Sequence, residues 1–185
     1  MEEKISGLLL HAVPYLGRKK ILKIFTPDGL LSLISNSSKF PTDPFCLAEW
    51  VYRKNQRELY PLVDATLFDS FHNLRQSLST LTAAGSIAQD LLKTQMPHKA
   101  SAELFQLASL YFKNLEMNPP ILAASFRLKL LYHEGLLGEE EKIFTAEEWE
   151  QVSVLAFGRK LSIIAGVTAI PPEKIGALFL DRFSL

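Results

Sequence analysis

The residues of this chain that could do chemistry are few and scattered. Its four histidines, His11, His72, His98 and His133, have no carboxylate or second histidine at ligand spacing. Histidines isolated in this way ordinarily sit on a surface or in a satisfied pocket. Cys46 is the only cysteine, so the sequence can form neither an internal disulfide nor a cysteine-based zinc site. It lies in the apolar run FCLAEWVYRK, where a buried, inert thiol is expected. No phosphate-cradling glycine loop and no HExxH occur. The consecutive carboxylates Glu139, Glu140 and Glu141 are expected to face solvent as a charged linker. No acid–base pair, nucleophile or metal set converges, so neither an enzyme nor a cofactor is expected.

Binding chemistry is better represented. Residues 1–69 carry nine basic groups against eight acidic ones. Five of the nine cluster as Arg18-Lys19-Lys20 and Arg53-Lys54, with Lys23 and Arg57 close in sequence. The aromatics Phe25, Phe40, Trp50, Tyr52 and Tyr60 are interleaved with them. Cations that track phosphates beside rings that stack bases are how small barrels hold single-stranded nucleic acid. On this reading Arg18, Lys19, Lys20, Lys23, Lys39, Arg53 and Lys54 contact phosphates, and Phe40 and Tyr52 are the stacking rings.

These side chains must be positioned by strands. Residues 19–36, KKILKIFTPDGLLSLISN, place an apolar run on each side of Thr26-Pro27-Asp28-Gly29. Pro27 presets φ for the first central turn position, and Gly29 tolerates φ > 0, so a hairpin is expected. Residues 5–13 read as the strand before it, 45–54 as a fourth strand and 58–68 as a fifth. Pro61 marks that last run as an edge or bulged strand. From residue 69 the apolar spacing becomes helical. Helices are expected over 69–92 (with Gly85 a possible break), 101–117, 121–134 closing at Gly135, 145–157, 159–169 and 172–183. Thr145 and Glu148 form a capping-box pattern.

Strands followed by helices imply an α+β chain of two modules, residues 1–69 and 70–185. Five strands in that length are compatible with the OB-fold, among other small barrels and sandwiches. The chain has 185 residues, 48% apolar and 22% charged, with 20 basic and 20 acidic groups and zero formal net charge. Any nucleic-acid binding must therefore come from a local patch. No apolar run is long enough to span a bilayer, the N-terminus lacks a signal-peptide pattern, and a cytoplasmic protein without membrane contact is expected.

Three stretches in register resemble the RecO family of bacterial recombination mediators. The first is Gly7-Leu-Leu-Leu-His11 with Pro14-Tyr15, leading into residues 21–32. The second is Pro44-Phe45 with Arg57-Glu-Leu-Tyr60 and residues 67–74. The third is Ala102-Glu-Leu-Phe105 with Phe126-Arg-Leu-Lys-Leu-Leu131 and Gly135. The likeness runs through about the first 138 residues. It implies an N-terminal OB-fold, a helical C-terminal domain, and binding of single- and double-stranded DNA. It further implies strand annealing and recombinase loading together with RecR and single-strand-binding protein, without catalytic residues.

The chain departs from that pattern in four places. Residues 35–40 carry one cation where the family has a basic segment. Leu16 stands in the Tyr15-Leu16-Gly17-Arg18 turn, and the glutamate common after the family's Tyr-Gly is missing. No four-cysteine zinc motif follows Gly135, and the chain is short at its C-terminal end. A second reading is therefore a protein-interaction adaptor with little DNA binding of its own. The resemblance puts a site for the tail of single-strand-binding protein on the helical domain. Arg127 and Lys129 would meet its carboxylates there, with Leu130 and Leu131 beside its aromatic side chain.

Overall fold

The computed structural model describes residues 1–36, 39–138 and 142–183; the Glu139–Glu141 run lies outside them. The five strands are β1 (Glu2–Tyr15), β2 (Lys19–Thr26), β3 (Gly29–Ser35), β4 (Cys46–Arg53) and β5 (Leu59–Asp69). They pair in the order β1-β2-β3-β5-β4 and close on themselves, with β3 and β5 parallel and every other pair antiparallel. This is the OB-fold barrel, followed by helices.

Alternation explains why these segments form a barrel. Along β4 burial switches at every residue, with Cys46, Ala48, Trp50 and Tyr52 inside. Leu9, Leu22, Ile24 and Leu33 meet them from the other strands. The Trp50 indole N–H donates to the Gly7 carbonyl at 2.9 Å, so the largest core side chain also satisfies its polar atom. β1 breaks the alternation. Leu9 pairs with Ile24 and His11 with Lys23, leaving Leu10 as a bulge, and Leu8, Leu9 and Leu10 are all buried. A second irregularity lies between Val51 and Tyr52 opposite β5, two residues from Pro61. Pro61 itself is the last residue of β5 to pair with β3.

The β2–β3 turn forms as its residues dictate. Thr26 pairs with Gly29, the Thr26 hydroxyl donates to the Gly29 carbonyl at 2.8 Å and accepts from the Asp28 N–H, and Gly29 has φ +105°. The tip is packed against following chain. The Leu30 N–H donates to the Met96 carbonyl, and the Ser101 N–H to that of Pro27.

The helices are α1 (Leu78–Thr94), α2 (Ala102–Asn114), α3 (Pro119–His133), α4 (Ala146–Phe157), α5 (Leu161–Ala165) and α6 (Pro172–Phe183). Gly85 does not break α1, which runs through it. The expected start at residue 69 is instead a 3-10 turn at His72–Arg75 after Phe71 at φ +43°. The expected helix over 159–169 is confined to five residues, because Gly166 caps it and residues 167–171 follow without helix. Thr145 and Glu148 make the capping box, each side chain bonding the other's backbone N–H. Gly135, at φ +72°, follows the end of α3.

The chain divides into two compact units: Met1–His72 with Leu91–Phe112, and Asn73–Asp90 with Lys113–Leu185. In the first, Phe25 on the outside of the barrel meets Phe105 of α2, and Phe112 stacks with both Phe45 and Phe71. In the second, α3 is buried nearly all round and packs against α4, α5 and α6.

Candidate nucleic-acid interface

The strand register fixes which side chains share the outside of the barrel. Leu22 and Ile24 point into the core, so Lys19, Ile21 and Lys23 point out. Three rows then run across the ladders. His11, Lys23, Ser32 and Leu59 form one; Val13, Ile21, Ile34 and Pro61 form the next; Tyr15 and Lys19 form the third. No carboxylate stands in any of these rows.

The cations of this face are held at its surface. Lys23 Nζ donates to Ser32 Oγ at 2.8 Å; Lys20, which shares the strand parity of Leu22 and Ile24, lies off this face at the start of β2 and donates through Nζ to Thr42 Oγ1 at 2.8 Å. Arg18 and Lys19 are exposed, as is Lys39, while Phe40 is half-buried. The β1–β2 connection, Leu16-Gly17-Arg18, adjoins the rows; loops in this position flank the ligand face of OB-folds.

The outer face of the first half of β1, β4 and the second half of β5 is different. There Glu2, Lys4, Glu49, Arg53 and Asp64 alternate with apolar and hydroxyl groups. Arg53 is ion-paired with Glu2 at 2.9 Å, Lys54 with Glu3 at 3.4 Å and Lys4 with Glu49 at 3.7 Å. The two basic clusters of the sequence thus stand at opposite ends of β1, Lys19 opposite Tyr15 and Arg53 opposite Glu2. The structure does not merge them, and it supplies the second cluster with its own counter-charges.

Tyr52 is not an exposed stacking ring. It is 7% exposed, stacks on Tyr60 at 5.4 Å and donates its hydroxyl to Glu3 Oε2 at 2.8 Å. Burial, and then the Glu3 carboxylate, push its phenol above the ordinary tyrosine range. Its hydroxyl in turn holds the Glu3 carboxyl below the usual carboxylate range. The reason is strand parity: Tyr52 shares the inner face with Trp50. Sequence reasoning missed the outer residues Tyr15, Val13, Ile21, Ile34 and Pro61. The signal for them was the Ile21-x-Lys23 and Ser32-x-Ile34 alternation, which becomes a face only once the strands are aligned.

The expected tail-binding residues on α3 are distributed differently. Leu130 and Leu131 are fully buried, so they form core and not a docking surface. Lys129 Nζ donates to the carbonyls of Ala156 and Gly158 at the end of α4, and burial lowers its pKa. Arg127 donates through Nε and Nη2 to both Asp90 oxygens, and through Nη2 to Ser86. It also lies over the Phe179 ring, 4.9 Å from the centroid. It lines a cavity of about 330 Å³ with Ser86, Pro120, Ala123 and Ile175. Among the described residues no group of three or more His, Cys, Asp or Glu converges as a metal site. No helix among them is long and apolar enough to cross a membrane.

No family model matches the chain. It is similar to the DNA repair protein RecO of Clostridium novyi, 31% identical over 150 residues, covering 75% of this chain and 58% of that protein. It is 30% identical over 149 residues to the protein of the same name from Chlamydia trachomatis serovar L2, covering 74% of this chain and 60% of the relative. Against that of Chlamydia pneumoniae it is 28% identical over 146 residues, covering 74% and 58%. The chain thus spans about three fifths of the length of the curated relatives it matches.

Proposed function

The chain belongs to the RecO family, and from that premise we propose that it is a DNA repair protein acting as a recombination mediator. In this reading it binds single- and double-stranded DNA, and acts with RecR and single-strand-binding protein to load recombinase and anneal strands. Residues 1–69 are its DNA-binding domain and 70–185 its helical domain. The observation that carries the reading is the carboxylate-free outer surface where β2 and β3 meet the second half of β1, which carries Lys19 and Lys23 with Arg18 in the adjoining turn. In a chain of zero net charge, segregating the acids onto another face gives phosphates one place to dock.

Fluorescence anisotropy of labelled single-stranded DNA tests it. About five phosphate contacts (Arg18, Lys19, Lys20, Lys23 and Lys39) give a slope of log K on log salt near −3.5. Lys19→Glu with Lys23→Glu weakens binding severely. Arg53→Glu with Lys54→Glu weakens it less, because those cations already have carboxylate partners. Affinity that ignores salt, or that survives the Lys19 and Lys23 changes, refutes the proposal.

The adaptor reading draws on a separate observation, the Arg127-lined cavity of the helical unit. A cation beside an apolar recess suits an acidic-apolar peptide tail. Ala123→Trp fills the recess and leaves the Arg127–Asp90 pair in place. Undiminished binding of a labelled acidic-apolar tail peptide by that variant removes the site.

A further inference from the structure

We infer that the open edge of β5, from Asp64 to Phe68, takes up an extended segment of a partner protein as an added strand, apolar in its middle and basic at its ends. This edge belongs to a different surface of the barrel from the DNA-binding face and does not depend on it.

Three observations carry it. First, β5 outruns its neighbour on one side. It meets β3 only through Leu59, Tyr60 and Pro61, while its ladder with β4 continues from Leu62 to Asp69. Among the described residues no other segment bonds to the backbone of this second half. The Ala65 N–H donates to the Asp64 carboxylate at 2.9 Å, which marks it as an edge-facing group, and alternation turns the Leu67 N–H the same way. Second, exposed apolar side chains line this edge, where lysines ordinarily discourage pairing. Val63 is 37%, Leu67 49% and Phe68 56% exposed, and Val63 and Phe68 are the extra residues of the two irregularities in the β4–β5 ladder. The start of β1, which has no β2 partner before Leu8, contrasts with it. There Glu2, Glu3 and Lys4 pair with Arg53, Lys54 and Glu49. Third, the open edge of β5 is negative. Asp64 and Asp69 bracket its apolar residues and accept the backbone N–H groups of Ala65 and Phe71. Among the described residues neither has a cationic partner.

That combination selects a polypeptide of one charge type. The aspartates repel phosphates, so the edge does not suit a nucleic acid. A second copy, added edge to edge about a two-fold axis, would bring aspartates together. A strand with lysines or arginines at its ends pairs with both carboxylates and takes the free main-chain groups of Ala65 and Leu67. Its apolar middle then lies beside Leu67 and Phe68.

The test titrates the full chain into a fluorescein-labelled peptide, Lys-Lys-Val-Thr-Val-Thr-Val-Lys-Lys, read by anisotropy, with a Kd below about 1 mM expected. The same peptide with glutamates in place of lysines is expected to bind at least about tenfold more weakly, the scale of one charge-assisted contact. Two further peptides carry N-methyl groups on the valine or on the threonine nitrogens. One set faces the edge and the other faces away, so one methylation abolishes binding and the other spares it. Leu67→Pro removes an edge N–H without touching the β4 ladder, and Phe68→Lys sets a like charge beside the peptide's lysines. Each weakens binding about tenfold with an unchanged far-ultraviolet spectrum. No binding up to about 1 mM, equal affinity for the lysine and glutamate peptides, loss from both methylations or from neither, or undiminished binding by both variants overturns the inference. So does hydrogen exchange at Ala65 and Leu67 that slows with rising protein concentration in the absence of peptide, because a second copy then occupies the edge.

Discussion

Single residues decide whether the barrel and its turn hold together. At Gly29 a Cβ atom would stand 2.5 Å from the Met96 carbonyl oxygen and 2.8 Å from the Lys99 nitrogen, both backbone atoms with little freedom to retreat. Gly29→Ala adds the left-handed penalty of φ +105°, so a loss of roughly 2–4 kcal/mol is expected. Urea denaturation measures it, and a change under about 0.5 kcal/mol would mean that the turn does not rest on the 96–99 backbone. Trp50→Phe removes an indole N–H from a fully buried site and leaves the Gly7 carbonyl without that donor. It is expected to cost about 2–3 kcal/mol, visible as a lower thermal midpoint with an unchanged far-ultraviolet spectrum. The Gly29 turn was legible because Pro-Asp-Gly between apolar runs encodes its own geometry. The inward direction of Tyr52 was not, because Trp50 and Tyr52 share a face whichever way β4 is turned, and only pairing with β1 and β5 selects it.

At the scale of elements, α4 is secured at both ends by side chains from elsewhere. At its start Glu148 accepts from Lys174 Nζ and from the Thr145 N–H. Those donors, Lys174 foremost, hold the Glu148 carboxyl below its ordinary value of 4.5. A carboxyl that is more acidic in the folded state adds stability above its unfolded pKa, and loses it as pH falls through the lowered folded one. The urea midpoint should therefore decline as pH drops below about 4.5, and Glu148→Gln should flatten that limb. An unaltered limb in Glu148→Gln would show that other carboxylates govern it. At the far end Lys129 meets the carbonyls of Ala156 and Gly158, where a helix dipole favours a cation. Lys129→Met is expected to destabilise by about 1–2 kcal/mol, and a neutral or stabilising result would assign Lys129 to packing alone. The capping box could be read from Thr145 and Glu148 because both partners lie within one turn. The Lys129 contact joins residues nearly thirty positions apart, which no local pattern announces. For the same reason the helices were legible in number and order, while the short α5 was overextended by apolar spacing that Gly166 interrupts.

At the scale of the whole molecule, zero net charge concealed a separation of charges that only the closed sheet makes visible. Twenty cations and twenty acids say nothing of faces. The ladders place Glu2, Glu49 and Asp64 on one outer surface and none of their kind beside Lys19 and Lys23. The closure that creates this arrangement rests on a short join: β3 and β5 meet through Ser32–Leu59, Leu33–Tyr60 and Ile34–Pro61, and proline has no N–H to give. The β1–β2 and β1–β4 ladders are longer. Amide hydrogens of the β3–β5 join should accordingly exchange with deuterium sooner than those of Leu22, Ile24, Ala48 and Trp50, reporting openings smaller than global unfolding. Uniform exchange across all five strands would show the join to be as firm as the rest. Ser32, Ile34, Leu59 and Pro61, the outward residues of this join, are also residues of the proposed binding face. A bound oligonucleotide lying across them would bridge the two strands from outside, so its affinity would be felt as slowed exchange at the one place where the ring is thinnest.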